Sequence, residues 1–424
     1  MKKQLLLLFL IILTLEVIAQ TQPAQPAAGY GGAADSYSSV TAFNCNDGAS
    51  GYMLYIPANP HAASLPLVIF SHGFGEWNPL RYGQWIDHIV KRGNIVVFPR
   101  YQQNEYTTLS TSFTSNVVTG IKRAIDTIQA HPSWTQPDLN KVFYMGHSYG
   151  GLISANLAVN HTSYAIPKPK AILMACPGYG TVPGGQLLSY SAMDSSIFVL
   201  DIIEHDDNVV DSAFALTVFN QTTAVPYAHK NLVIHFADSL AMPPVNSSHG
   251  ESACTDSTYD NGDRGVVMAQ AAFAFTDATD FYCYWKLFDA LEDCALTGSG
   301  CNAAFGDTPA QRNMGLWSNS VPVRPLEVRP HSITTAVNTA SAEEHTKVYP
   351  NPGMGIFNFE TARSEVQQGS IEVYNVLGKK VYSKLYSGSF SFSIDISSQP
   401  SGIYLYRLLA ENGKLMAGGK LVIR

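Results

Sequence analysis

Charge is scarce in this 424-residue sequence: Asp, Glu, Lys and Arg together make up 14% of it, and the formal net charge is −7. No block of Lys and Arg occurs anywhere, which argues against nucleic acid as the main partner. Beyond the N-terminus no stretch reaches 18 uninterrupted apolar residues, so the mature chain is expected not to span a membrane. Only six cysteines are present, none in a C-x-x-C pair, which weakens redox and zinc readings. Apolar material, by contrast, is plentiful. Hydrophobic residues account for 46%, with 22 Tyr, 20 Phe and 5 Trp, enough for a sizeable core and too much for wholesale disorder. At about 150 residues per domain the length suggests two or three domains.

The first 19 residues carry Lys2 and Lys3, the apolar run Leu5–Leu15, and Val17-Ile18-Ala19 before Gln20. That order is expected to be a secretory signal peptide cut after Ala19. The run is too short, at about 16 Å of helix, for a bilayer core of about 30 Å. Export makes disulfides admissible. Cys283 and Cys294 lie about 16 Å apart on one predicted helix and cannot pair with each other. Cys294 and Cys301 flank a flexible Ala-Leu-Thr-Gly-Ser-Gly loop and form the best pair. Cys254 with Cys283 is plausible, and Cys45 and Cys176 are left open.

Charge also divides the chain. Residues 20–346 hold 15 basic and 27 acidic side chains, whereas residues 347–424 hold 9 basic and 5 acidic. Between them a Pro/Ser/Thr/Val/Ala stretch with little periodicity predicts a linker over 318–346. The expected division is therefore a signal at 1–19, a first domain at 20–317, the linker, and a second domain at 347–424.

The second domain opens on Lys347-Val-Tyr-Pro-Asn-Pro-Gly and continues through short alternating runs to Lys420-Leu-Val-Ile-Arg. Alternation punctuated by Gly, Asn and Pro predicts a small antiparallel β-sandwich, with a hairpin turning near Gly378. These segments resemble the C-terminal sorting domain of the type IX secretion system of Bacteroidetes. That resemblance implies passage through the outer membrane by way of its secretion machinery, then release or surface attachment. A carbohydrate-binding or adhesive sandwich is the alternative.

From Gly51 to about Leu296, strand-like runs alternate with helix-period segments, which predicts a mostly parallel sheet covered on both faces. The strands read 52–56, 65–70, 95–98, 141–145, 170–174, 196–203 and 231–236. Candidate helices fall at 80–92, 112–130, 150–160, 209–220 and 266–296. Onto this frame falls Gly146-His-Ser-Tyr-Gly-Gly151, directly after one strand and opening a helix. Such a turn must be sharp to project Ser148, and glycines at its flanks relieve the crowding. Over residues 40–300 the chain resembles the α/β-hydrolase fold, within its lipase, cutinase and chlorophyllase-like esterases.

The resemblance implies a nucleophile–acid–histidine order, each on the loop after a particular strand. Ser148 is the expected nucleophile. In related enzymes the acid stands two residues before the apolar start of the next helix, which fits Asp207, with Asp206 as runner-up, Glu204 and Asp201 behind, and Asp238 a distant third. His249 is the histidine of the loop after the strand 231–236. His205 precedes the acid, and His235 lies mid-strand. The resemblance further implies an oxyanion site from the backbone N–H groups of Phe74 and Tyr149, with His72 a structural loop residue. Phe74, Trp77 and Tyr149 are candidates for lining an acyl pocket, core packing being the alternative for Trp77. Asp256, Asp260, Asn261 and Asp263 are hard oxygen donors that suit calcium, but their spacing is not an EF-hand and favours a polar surface loop, calcium binding being the alternative.

Together these features imply an exported Ser-His-Asp hydrolase of carboxylic esters, working through an acyl-enzyme with no metal or organic cofactor. Lipid, cutin-like, aromatic polyester, chlorophyll and acetylated-glycan esters all stay open as substrates. A non-catalytic surface binding protein on the same scaffold, or a serine amidase, is the alternative.

Overall fold

Leu67-Val68-Ile69-Phe70 is an unbroken apolar run whose side chains alternate between two cores, as a strand buried on both faces requires. A computed structural model of the chain describes residues 20–106, 109–265, 275–329, 346–361, 368–375, 379–387, 391–410 and 415–424. The expected signal peptide, the first part of the helix expected over 266–296, and the hairpin turn at Gly378 lie outside the described residues. The chain divides into two compact units, one ending at His331 and one beginning at Ser332.

In the first unit the strands are β1 (Ser39–Cys45), β2 (Tyr52–Ala58), β3 (Ser64–Ser71), β4 (Ile95–Pro99), β5 (Gln136–His147), β6 (Ala171–Ala175), β7 (Phe198–Glu204), β8 (Lys230–His235) and β9 (Glu327–Arg329). They form one sheet in the order β1-β2-β4-β3-β5-β6-β7-β8-β9. From β4 to β8 neighbours run parallel, while β1, β2 and β9 pair antiparallel. Among the described residues the longer helices are α1 (Gly83–Gly93), α2 (Phe113–Gln129), α3 (Tyr149–Tyr164), α4 (Ala213–Gln221) and α5 (Lys286–Thr297), the last continuing a π-helical turn at Asp280–Trp285. In α1, Trp85, Ile86, Ile89 and Val90 are buried at helical spacing and pack with α5 on one face of the sheet. Val117, Ile121 and Ile128 of α2 and Leu152 and Ile153 of α3 cover the other. The expected α/β architecture is present, with β1 and β9 added at its edges.

Three expectations change. The helix expected at 209 begins at Ala213, because Asp207 Oδ1 takes the N–H groups of Val209 (2.8 Å) and Val210 (3.0 Å) in a turn. The linker does not begin at Ser318. Val323, Leu326 and Val328 are buried, and β9 pairs with β8, so the chain stays packed through Arg329. Cys294 and Cys301 are joined, whereas Cys254 and Cys283 are separate free thiols. Among the described residues no helix is long and apolar enough to cross a membrane.

The second unit is all antiparallel. Thr346–Tyr349, Ile356–Thr361 and Ser391–Asp395 make a three-stranded sheet; Lys380–Ser387, Gln368–Asn375, Gly402–Ala410 and Leu415–Ile423 make a four-stranded one. Phe357, Phe359 and Ile394 from the first share a core with Ile371, Val373, Leu408 and Leu421 from the second. This is a sandwich.

Candidate active site

At the end of β5 the chain must reverse into α3 within one residue, and Ser148 occupies that turn with φ 54° and ψ −121°. A non-glycine residue at positive φ is uncommon and costs about 1–3 kcal/mol. The glycines around it explain how the turn closes. A Cβ on Gly146 would stand 2.7 Å from the Ser71 carbonyl oxygen and press on the Gly150 backbone, and one on Gly150 would strike the same Ser71 oxygen. The Ser148 N–H is fixed to the Ala175 carbonyl on β6 (2.8 Å), so the side chain projects at the carboxyl edge of the sheet.

Two loops converge on Ser148. Its Oγ lies 2.9 Å from His249 Nε2, and His249 Nδ1 lies 2.7 Å from Asp207 Oδ2. An ionised carboxylate only accepts, so Nδ1–H donates to Asp207 and Nε2 is left to accept the Ser148 O–H. Burial pushes the Asp207 carboxyl up, but the His249 bond and the two backbone N–H groups outweigh it and hold it below its ordinary value. Ser247 clasps the loops together: its hydroxyl donates to the His235 carbonyl (2.9 Å) and accepts from His205 N–H (2.8 Å), while its carbonyl accepts from Asp206 N–H (3.0 Å).

The other acid candidates are engaged elsewhere. Asp206 pairs with His205 at 2.7 Å, both half-exposed. Glu204 is buried between His235 Nδ1 and the Tyr284 hydroxyl, each at 2.6 Å. Asp201 is fully buried within β7, where burial keeps its carboxyl protonated far above the ordinary range. Asp238 accepts from Trp317 Nε1 and Arg324 N–H.

The N–H groups flanking Phe74 are tied down, Gly73 to the Tyr82 hydroxyl (3.1 Å) and Gly75 to Gln102 Oε1 (2.8 Å). Neither Phe74 N–H nor Tyr149 N–H has an acceptor among the described residues. Tyr149 is also the first residue of α3, where the helix dipole favours negative charge. His72 sits between the Gly73 and Arg100 carbonyls and stacks on Tyr101 at 4.0 Å; burial pushes it down to about 4, so it is a loop anchor.

Ser148 and His249 open into a cleft of about 1170 Å³ lined by Phe74, Tyr149, Tyr179, Val209, Val210 and Phe275, among others. Trp77 is a correction. It is buried under the Arg100 guanidinium, 5.9 Å from its ring centroid, and lies outside the cleft lining. The 256–263 carboxylates are bound internally: Asp260 by Asn78 and Arg264, Asp263 by Asn261 and Arg100, and Asp256 by Thr258. Among the described residues, one group has donor atoms spaced for a metal ion: Cys176, Asp207 and His249, within 4.8 Å of one another. Cys176 is buried beside the pair, and burial pushes its thiol well up, which keeps it protonated.

Sequence reasoning missed His147. Its ring is buried, with Nε2 2.8 Å from the His249 carbonyl oxygen and Nδ1 2.8 Å from the Tyr82 hydroxyl. Its place inside the Gly-His-Ser motif was visible, but not which way its side chain turns.

A mostly parallel sheet with a serine elbow at its carboxyl edge is the architecture of the α/β-hydrolase fold. Residues 38–188 match the chlorophyllase family, and residues 347–424 match the secretion system C-terminal sorting domain. The chain thus carries a region similar to chlorophyllases and a tail similar to the sorting domain, which supports hydrolase chemistry of esterase type and export to the surface or beyond. The chlorophyllase match takes in the elbow and the Phe74 loop and stops before Asp207 and His249. No curated protein matches the chain.

Proposed function

We propose that this protein is an exported serine hydrolase of carboxylic esters, with Ser148 as nucleophile, His249 as general base and Asp207 as its orienting acid. The observation that carries this reading is the unbroken series Ser148 Oγ–His249 Nε2 (2.9 Å) and His249 Nδ1–Asp207 Oδ2 (2.7 Å) at the edge of the cleft. Ser148 Oγ attacks the ester carbonyl carbon while His249 Nε2 takes its proton. The carbonyl oxygen becomes an oxyanion facing the Phe74 and Tyr149 N–H groups, donors already in place before charge develops. Collapse expels the alcohol, which takes the proton from His249, and leaves the acyl group on Ser148. Water, deprotonated by His249, then releases the acid.

The apolar, aromatic lining and the volume of the cleft favour esters with a bulky apolar acyl or alcohol part, lipidic or polymeric. Residues 1–19 serve as the cleaved export signal and 347–424 as the segment read by the secretion machinery. An intact triad weighs against a purely binding role. A panel of chromogenic acyl esters of graded size, beside the matching anilides, tests the reading. Turnover of esters with little of anilides supports it, and turnover of neither, in folded protein, overturns it.

A further inference from the structure

The loops carrying the two halves of the proposed catalytic machinery, the Phe74 loop and the His249 loop, do not follow one another in sequence. Both are tied to one buried cluster beside the elbow. A carbonyl oxygen has no proton to give, so in the 2.8 Å contact between His147 Nε2 and the His249 carbonyl the ring donates. Burial pushes the His147 ring down, against the pull of Glu76. Nδ1 faces the Tyr82 hydroxyl at 2.8 Å. The Tyr82 oxygen in turn accepts the Gly73 N–H at 3.1 Å, one residue before Phe74. The Tyr82 hydroxyl donates to Glu76 Oε2, which lies 3.2 Å from His147 Nδ1, and Arg81 Nε holds Glu76 Oε1 at 2.7 Å. Burial pushes Glu76 up, but Arg81, His147 and Tyr82 outweigh it and keep it ionised well below its usual range.

We propose that Tyr82, Glu76 and His147 are positioning residues that set the oxyanion loop and the general-base loop at fixed distance from Ser148. The inference rests on the triad reading above. His147 is the residue immediately before Ser148, so the backbone that aims the nucleophile also carries the side chain that holds the base. The linkage runs Gly73 N–H to Tyr82 hydroxyl to His147 ring to His249 carbonyl, four groups drawn from three separate parts of the chain. Each of the three side chains is at most 8% exposed, so water does not replace a lost bond at low cost. A displacement of about 1 Å at such a site costs rate on the order of 100-fold. Tyr82 and His147 lie outside the cleft lining, so replacing them is expected to change substrate binding little.

The test uses the full chain and four variants: Tyr82→Phe, His147→Leu, His147→Gln and Ser148→Ala as reference. Tyr82→Phe and His147→Leu are expected to lower kcat about 10- to 100-fold with KM within about threefold of wild type. The rate of Ser148 labelling by a fluorophosphonate should fall in parallel. His147→Gln keeps an amide N–H at similar reach and should recover most of the loss. Circular dichroism and melting temperature report on folding. If Tyr82→Phe does not fold, the His147 pair carries the comparison alone. A kcat within twofold of wild type in His147→Leu, or a His147→Gln no better than His147→Leu, overturns the positioning role. Wild-type protein as inactive as Ser148→Ala overturns the triad reading instead.

Discussion

Asp206 and Asp207 are neighbours in the chain, yet their carboxylates serve different histidines. Asp207 Oδ2 holds His249 at 2.7 Å, while Asp206 turns outward to the exposed His205 at the same distance. The difference has a local origin. The Val209 and Val210 N–H groups pin the other oxygen of Asp207, which leaves one rotamer aimed at the cleft.

Asp207→Asn is therefore expected to lower kcat/KM by about 10³- to 10⁴-fold, since an amide cannot orient the ring or stabilise its protonated form. Asp206→Asn should stay within about threefold of wild type. Steady-state ester hydrolysis by both variants decides the assignment, and a reversed order moves the acid to Asp206.

Replacing the proposed nucleophile is the sharper case. Ser148→Ala should reduce turnover by at least about 10⁴-fold while leaving the melting temperature unchanged or raised, because alanine at that position loses only a hydroxyl. Covalent labelling by a fluorophosphonate should vanish with it. Labelling that persists would place the reactive serine elsewhere.

A pH dependence of stability follows from Glu292, which is buried and hydrogen-bonded by Asn94 at 3.1 Å. Burial, reinforced by the charge of Asp289, pushes its carboxyl up to about 7 from an ordinary value of 4.5. Between those values the folded chain holds a proton that the unfolded chain has released. Stability should thus fall as pH rises through this window and level off above it. Glu292→Gln removes the effect, so the variant should gain on wild type by up to about 3 kcal/mol across the window. Urea denaturation at stepped pH measures the difference; a constant gap would mean Glu292 is ionised throughout.

For the tail the expected outcome is one of location. Removing residues 347–424 should leave activity per folded molecule within about twofold, because the proposed triad lies wholly in the other compact unit. In the native host the truncated protein should accumulate in the periplasm, which cell fractionation reads directly. Normal release would make the sandwich an adhesive or carbohydrate-binding module.

The central strands were legible because parallel strands buried on both faces read as continuous apolar runs, as in Leu67–Phe70 and Ala171–Ala175. Ser148 was legible for a steric reason, since only glycine fits at 146 and 150. Asp207 and His249 came from their order along a resembling fold and not from any local signal. What stayed hidden was directional. Trp77 has the composition of a cleft residue, but Arg100 covers it. His147 has no periodicity that would reveal a side chain turned toward a carbonyl 102 positions away. Strand β1 escaped notice because its side chains are at most half-buried, so its sequence lacks the apolar alternation of an inner strand. Strand β9 has one buried residue, Val328, too little pattern to separate it from a linker.

That last strand has a practical consequence. Val233 and its neighbours in Lys230–His235 have their outer backbone row occupied by Glu327–Arg329. A chain cut near Ser320 would leave that row of N–H and C=O groups open along an apolar strand, an adhesive template for any other polypeptide. A chain cut after Arg329 keeps the edge sealed. The shorter protein should self-associate with rising concentration while its longer counterpart stays monodisperse, and sedimentation of the two side by side reads the difference.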